Sequence, residues 1–191
     1  MAGPSLYAAT FTEALSSART LHDEIARQIA RGDRYWLLTL HPKADPALVD
    51  AYRRLAGPNA RFIEADALVS ALRAADVLVC DTSSVVSEFV VQRKPVVTFR
   101  NRAPKPHMID ISESADLEGA LQRAFAPTET LRTELATYAD LIHPWRDGRS
   151  SERVLGAAQD FLGGRFGDLS RKPVNLWRRL QMRAKLRNFG V

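Results

Sequence analysis

Hydrophobic positions along the chain follow two periods in turn. Short, nearly continuous apolar runs alternate with segments in which apolar residues recur every three or four positions. The run Leu6-Tyr7-Ala8-Ala9-Thr10 predicts a strand, and Leu15, Ala18, Leu21, Ile25 and Ile29 then mark one face of a helix. Gly32 is placed to stop that helix, because glycine takes a left-handed C-cap without steric cost. Further strands read over 35–40, 60–65, 77–80, 95–99 and 108–111. Asp45-Pro46 has the pattern of an N-cap followed by proline in the first turn, opening a helix to about residue 55. Leu68, Leu72 and Ala75 mark a brief helix, and Thr82-Ser83-Ser84 is placed to cap another running to about 92. Longer helices are predicted over 116–125, 129–142 and 150–162. Val77-Leu78-Val79-Cys80 has no polar alternation, as expected of a strand covered on both faces. This alternation predicts an α/β fold with a doubly wound parallel sheet, Rossmann-like, over 1–163. The glycine-rich stretch 163–167 separates it from a basic C-terminal segment over 164–191.

Charge changes this picture only at that end. From Leu169 to Val191 there are seven basic residues and no acidic one. The whole chain has 27 basic residues, and taking away those seven leaves 20 against 22 acidic, a balance of −2. The net +5 therefore belongs to an appendage, which argues against a nucleic-acid-binding surface on the folded part. In the tail, Leu176, Trp177, Leu180 and Ala184 share one helical face, while Met182, Leu186 and Phe189 fall on another. An anionic membrane surface, packing on another domain and a disordered basic end are alternative readings of it. The absence of a long apolar run and of a signal-peptide pattern, with a lone Cys80, suggests a cytoplasmic setting, peripheral at the inner face of the membrane if the tail binds lipid.

In such sheets ligands bind beyond the carboxyl ends of the strands, where helix N-termini point. That criterion selects Thr10-Phe11-Thr12, His41-Pro42-Lys43, Glu64 to Asp66, the stretch Asp81 to Glu88, and Arg100 to His107. Ser83, Ser84 and the following amides have the character of an anion site, and Glu88, about one turn on, suits the vicinal hydroxyls of a ribose. Simple helix capping with a solvated Glu88 accounts for the same pattern. His41 is placed to donate to a phosphate oxygen or to protonate a leaving group. Arg100 opens a cationic loop suited to an anionic or base moiety, and Ser150 and Ser151 open a second turn-helix junction. His22 reads as surface, His143 as a helix-end residue, and His107 as ambiguous. None of the ten glycines lies in the first strand-helix turn, which disfavours a dinucleotide enzyme. No metal-ligand spacing is present, and no metal or cofactor is expected.

Leu6-Tyr7-Ala8-Ala9-Thr10-Phe11, Leu40-His41-Pro42, Asp81 through Phe89, and Lys94-Pro95-Val96-Val97 occur in an order that resembles the C-terminal half of the CDP-glycerol glycerophosphotransferase family. Asp147-Gly148-Arg149-Ser150-Ser151-Glu152-Arg153 resembles that family's closing segment, so the likeness covers about residues 5–162. It implies one half of a GT-B-like pair that holds a nucleotide-diphosphate donor for teichoic-acid-type polymer synthesis in the cell envelope. Ser83, Ser84, Ser150 and Ser151 would contact phosphate, Glu88 the ribose, and His41 the pyrophosphate during catalysis. An acceptor hydroxyl would attack the phosphorus bearing glycerol and CMP would leave, without a metal. The family also uses an N-terminal Rossmann-like half, so the chain is expected to bind CDP-type nucleotides without transferring glycerol phosphate alone. The UDP-N-acetylglucosamine 2-epimerase half is a weaker match, because Ser83-Ser84-Val85 replaces its Ser-Gly-Gly and residues 100–105 differ from its arginine-rich loop. A non-catalytic nucleotide-binding module is the third reading.

Overall fold

The structure, a computed structural model, describes residues 3–167, 170 and 173–186. Six parallel strands form its core: β1 Ser5–Ala9, β2 Trp36–Leu40, β3 Ala60–Phe62, β4 Val77–Cys80, β5 Val96–Phe99 and β6 Met108–Ile111. Their order is β3-β2-β1-β4-β5-β6. The order reverses between β1 and β4, which pair in register from Ser5 opposite Val77 to Ala8 opposite Cys80. The doubly wound α/β sheet expected from the apolar runs is therefore present.

Alternate side chains of the central strands enter two separate cores. Tyr7, Ala9, Val77, Val79 and Val97 face helices α1 (Ala18–Arg31), α2 (Pro46–Arg53) and α5 (Leu117–Phe125). Leu6, Ala8, Leu78, Cys80 and Val96 face α3 (Leu68–Ala74), α4 (Val85–Val90) and α6 (Glu129–Ile142). Every residue of β1 and β4 is buried, which explains why these strands read as unbroken apolar runs.

The local signals work as their chemistry requires. Gly32 ends α1 at φ 69°. Asp45 caps α2 by accepting the Ala47 N–H, with Pro46 in the first turn. The Lys94 ammonium donates to the carbonyls of Arg73 and Ala75 at 2.8 and 2.7 Å, satisfying the end of α3, so this part of the Lys94-Pro95 motif is structural. Two expectations shift: Leu15 lies in a turn built on the Thr12 carbonyl, so α1 starts only at Ala18, and the strand expected over 60–65 ends at Phe62, with Ala65–Ala67 forming a 3-10 turn. Phe189, which the sequence places with the second apolar group of the tail, lies outside the described residues.

Contacts within the chain divide it into Met1–Pro144 and Trp145–Val191. The second unit carries α7 (Ser150–Leu162) and α8 (Leu176–Leu186), each without a buried residue. Among the described residues no helix is long and apolar enough to cross a membrane.

Candidate functional site

The reversal of strand order opens a crevice over the carboxyl ends of β1, β2 and β4. A cleft of about 100 Å³ lies there, and its walls include Ala9, His41, Pro42, Ser83 and Val85. Two residues singled out from the sequence, His41 and Ser83, thus face one space although 42 positions separate them in the chain.

Asp81, the first residue after β4, holds the crevice together. It is fully buried. Its carboxylate accepts the Thr10 N–H at 3.0 and 3.2 Å, the Ser17 N–H at 2.9 Å and the Ser17 hydroxyl at 3.0 Å. The loop after β1 and the start of α1 are therefore tied to the end of β4, which explains the late start of α1. Burial pushes the Asp81 carboxyl above its usual range, and the donors from Ser17 and Thr10 pull it back. The Ser17 hydroxyl also bonds Tyr7, whose ring stacks on Tyr52 at 5.3 Å. Sequence reasoning placed Asp81 within the motif without this role, because its donors lie 64 and 71 residues away.

The hydroxyls after Asp81 do not cap α4 as expected. Thr82 Oγ1 accepts the Arg102 N–H at 3.0 Å, drawing the loop after β5 onto this edge. Ser83 Oγ meets the Val85 N–H only at 3.4 Å, and Ser84, at the N-cap position, makes no side-chain cap. Among the described residues the N–H groups of Ser83 and Ser84 have no partner. Two amides and two loosely held hydroxyls at one rim are donors suited to an anion. Glu88 is exposed on α4, one turn further on.

The exposed His41 ring lies 4.3 Å from that of Phe11, in the loop after β1. Its Nδ1 accepts the Lys43 N–H at 3.1 Å. In the neutral ring the proton must then sit on Nε2, which leaves that nitrogen as the free donor.

Arg100 is exposed, with φ 48°. Its Nε donates to the Ser112 carbonyl at 2.7 Å and its guanidinium lies 3.5 Å from Glu113, so the side chain is held by the stretch after β6. Ser150 and Ser151 belong to the second unit as the first residues of α7, which has no side-chain cap. The conspicuous pair in that segment is instead Asp147 with Arg153, joined by two bonds of 2.8 and 2.6 Å around Gly148 at φ 73°. Arg153 holds the Asp147 carboxyl far below its usual range.

The remaining histidines serve structure. His107 is buried and stacks on Tyr138 at 3.8 Å. His22 is half-buried with its ring edge-on to Tyr52 at 5.2 Å, so it is not a plain surface residue. His143 ends α6, donating its N–H to the Ala139 carbonyl.

Several solved structures share this fold. The wall teichoic acid polymerase TagF has a TM-score of 0.62 at 14% identity, over 86% of this chain and 45% of that one. The S. aureus MnaA–UDP structure gives 0.59 at 16% identity, over 90% and 48%. UDP-GlcNAc 2-epimerase from Neisseria meningitidis, bound to UDP-GlcNAc, gives 0.54 at 14%, over 83% and 44%. The chain thus spans about half the length of the solved structures it matches. No curated protein matches its sequence. The family model described as CDP-Glycerol:Poly(glycerophosphate) glycerophosphotransferase matches residues 6–158, from β1 through most of α7. With its crevice motifs inside that match, the chain belongs to the CDP-glycerol:poly(glycerophosphate) glycerophosphotransferase family.

Proposed function

We propose that this chain binds the nucleotide-diphosphate donor of a glycerophosphotransferase, with CDP-glycerol as the donor. The observation that carries the reading is the shared cleft, in which the His41 side faces the Ser83 side across the crevice where strand order reverses. The diphosphate lies against the Ser83 and Ser84 amides and hydroxyls, and Glu88 accepts hydrogen bonds from the ribose. His41 Nε2–H points its donor at the bridging oxygen. When an acceptor hydroxyl attacks the phosphorus bearing glycerol, a new P–O bond forms and the P–O bond to CMP breaks. Negative charge then collects on the departing CMP phosphate, where a fixed imidazole donor and two amides lower the barrier. The proton of the attacking hydroxyl passes to a base in a second Rossmann-like half of the kind the resemblance implies, so transfer is proposed for the assembled pair and donor binding for this chain. Arg100, Ser150 and Ser151 remain proposed phosphate contacts; for Arg100 this requires release from Ser112.

TagF supports the reading as a family-type polymerase, since one of its solved forms is a variant soaked with CDPG. The similarity to MnaA with UDP favours a second reading, half of a UDP-N-acetylglucosamine epimerase. Calorimetry with CDP-glycerol, CDP, UDP and UDP-N-acetylglucosamine separates the two. Preference for the cytidine ligands, with about 10-fold weaker binding by Ser83→Ala, supports the donor site. Preference for the uridine sugar moves the assignment to the epimerase, and binding of none removes the donor site.

A further inference from the structure

A second cavity, of about 370 Å³, opens between the loop after β1 and the first turns of α1 and α2. That is within the range of small-molecule sites, about 300–1,000 Å³. Its walls include Thr10, Phe11 and Glu13 from the loop, Ser16 and Thr20 at the start of α1, and Leu48 on α2. Arg19 and Asp45 also line it, and their ion pair of 2.6 Å ties the α1 wall to the α2 wall. Phe11 faces this cavity and His41 faces the cleft beside Ser83, while the two rings stack on each other at 4.3 Å. The stacked pair is therefore the partition between the two spaces. Among the described residues the Glu13 carboxylate and the hydroxyls of Thr10 and Thr20 have no partner. The Ser16 hydroxyl accepts the Ala18 N–H at 3.3 Å and keeps its own proton to donate. Phe11, 45% exposed, and the half-buried Leu48 offer apolar surface to a carbon skeleton. The walls carry two carboxylates and one guanidinium, a balance that disfavours an anion inside and suits an uncharged, hydroxyl-rich group.

We propose that this cavity is a polyol site and that it seats the hydroxyl-bearing end of the acceptor. The two oxygens of Glu13 accept from neighbouring hydroxyls of the polyol, the hydroxyls of Thr10, Ser16 and Thr20 complete its hydrogen bonds, and its carbons lie on Phe11. Lys43 stands at the same wall, its ammonium 5.7 Å from the centre of the Phe11 ring, and makes no ion pair among the described residues. It meets the phosphate that follows the terminal polyol, so that charge stays outside the cavity. Donor and acceptor then lie on opposite sides of the Phe11–His41 pair and meet at its rim, where the His41 Nε2–H is the free donor. The acceptor role rests on the donor reading; the polyol site does not.

Amide NMR of the full chain, titrated with glycerol, glycerol 3-phosphate, inorganic phosphate and CDP, tests it. Glycerol and glycerol 3-phosphate are expected to shift the amides of Thr10, Glu13, Ser16 and Thr20, and inorganic phosphate is not. Glu13→Gln weakens both polyols about 10-fold. Lys43→Gln weakens glycerol 3-phosphate alone, by about threefold. Both side chains are exposed, so thermal unfolding is unchanged in either variant. Saturating CDP leaves glycerol 3-phosphate bound, because the two occupy separate spaces. The polyol site is overturned if glycerol 3-phosphate leaves the four amides unmoved, if phosphate alone moves them equally, if Glu13→Gln changes nothing, or if CDP displaces the polyol. The donor reading fails separately, if CDP leaves the Ser83 and Ser84 amides unmoved. Shifts at the four cavity amides in that case support the polyol site and overturn its acceptor role.

Discussion

Replacing Asp81 with asparagine keeps the shape of the side chain and converts one acceptor oxygen into a donor. The native carboxylate serves three donors: the Thr10 N–H, the Ser17 N–H and the Ser17 hydroxyl. With the amide oxygen kept toward Ser17, its NH2 meets the Thr10 N–H from about the distance at which Oδ1 now accepts it, 3.0 Å. The Thr10 N–H then faces a donor at its shorter contact and keeps only the 3.2 Å one, to an oxygen already shared by both Ser17 donors, at a cost of about 2 kcal/mol. For a chain of this size that lowers Tm by roughly 4–8 °C. Acid must not mimic the amide. A protonated carboxyl keeps a lone pair on both oxygens and can still accept all three donors. Because burial raises the folded-state value of this carboxyl, the native state holds the Asp81 proton more tightly than the unfolded chain does. This group's contribution to stability is therefore fully present below its ordinary value and declines as pH rises through the raised folded one. Thermal unfolding of Asp81→Asn, with amide exchange at Thr10 and Ser17, reads the effect. A loss under about 0.5 kcal/mol, or unchanged protection at Thr10, would refute the accounting.

Lys43→Pro removes the N–H that fixes the His41 ring, so imidazole nitrogen shifts should move from a predominantly Nε2–H form toward a mixture of tautomers; unchanged shifts would show that the 3.1 Å contact does not set the tautomer. Burial lowers the His107 proton affinity, with Lys105 lowering and Glu134 raising it. Because the unfolded chain then binds the proton more readily, stability falls on acidification from about pH 7 to about pH 5, and His107→Phe is expected to lessen that slope in urea titrations. Phe89, on α4, is fully buried against the sheet core, so Phe89→Ala should cost about 3–5 kcal/mol in unfolding experiments; a loss below about 1 kcal/mol would mean that α4 is not anchored there.

What the sequence made legible was what neighbours in the chain decide. Unbroken apolar runs announced a sheet covered on both faces, and Gly32 and Asp45-Pro46 set helix ends through bonds spanning a few residues. The rim residues His41 and Ser83 were found because the topology places every strand exit on one edge. What stayed hidden depended on remote partners. The tie made by Asp81, the burial of His107 under Tyr138 and the seating of His22 on Tyr52 each join residues brought together only by folding. The motif serines misled for a related reason. Ser and Thr after a strand signal a cap, yet Thr82 bonds the chain after β5 instead and leaves the amides of Ser83 and Ser84 free. The Asp147 and Arg153 pair shows the converse, a family pattern kept by a turn and a bidentate bond.

The bond between Asp81 and Thr10 has a kinetic consequence. The loop after β1 and the start of α1 both hang on the carboxylate at the end of β4, so neither can swing away without giving up its bond to Asp81. On the proposed donor reading, a nucleotide arriving there meets a wall already set by Asp81 and need not assemble it. Stopped-flow traces on the isolated chain should therefore be single exponentials whose observed rate climbs linearly with ligand concentration, without the plateau that a preceding rearrangement imposes.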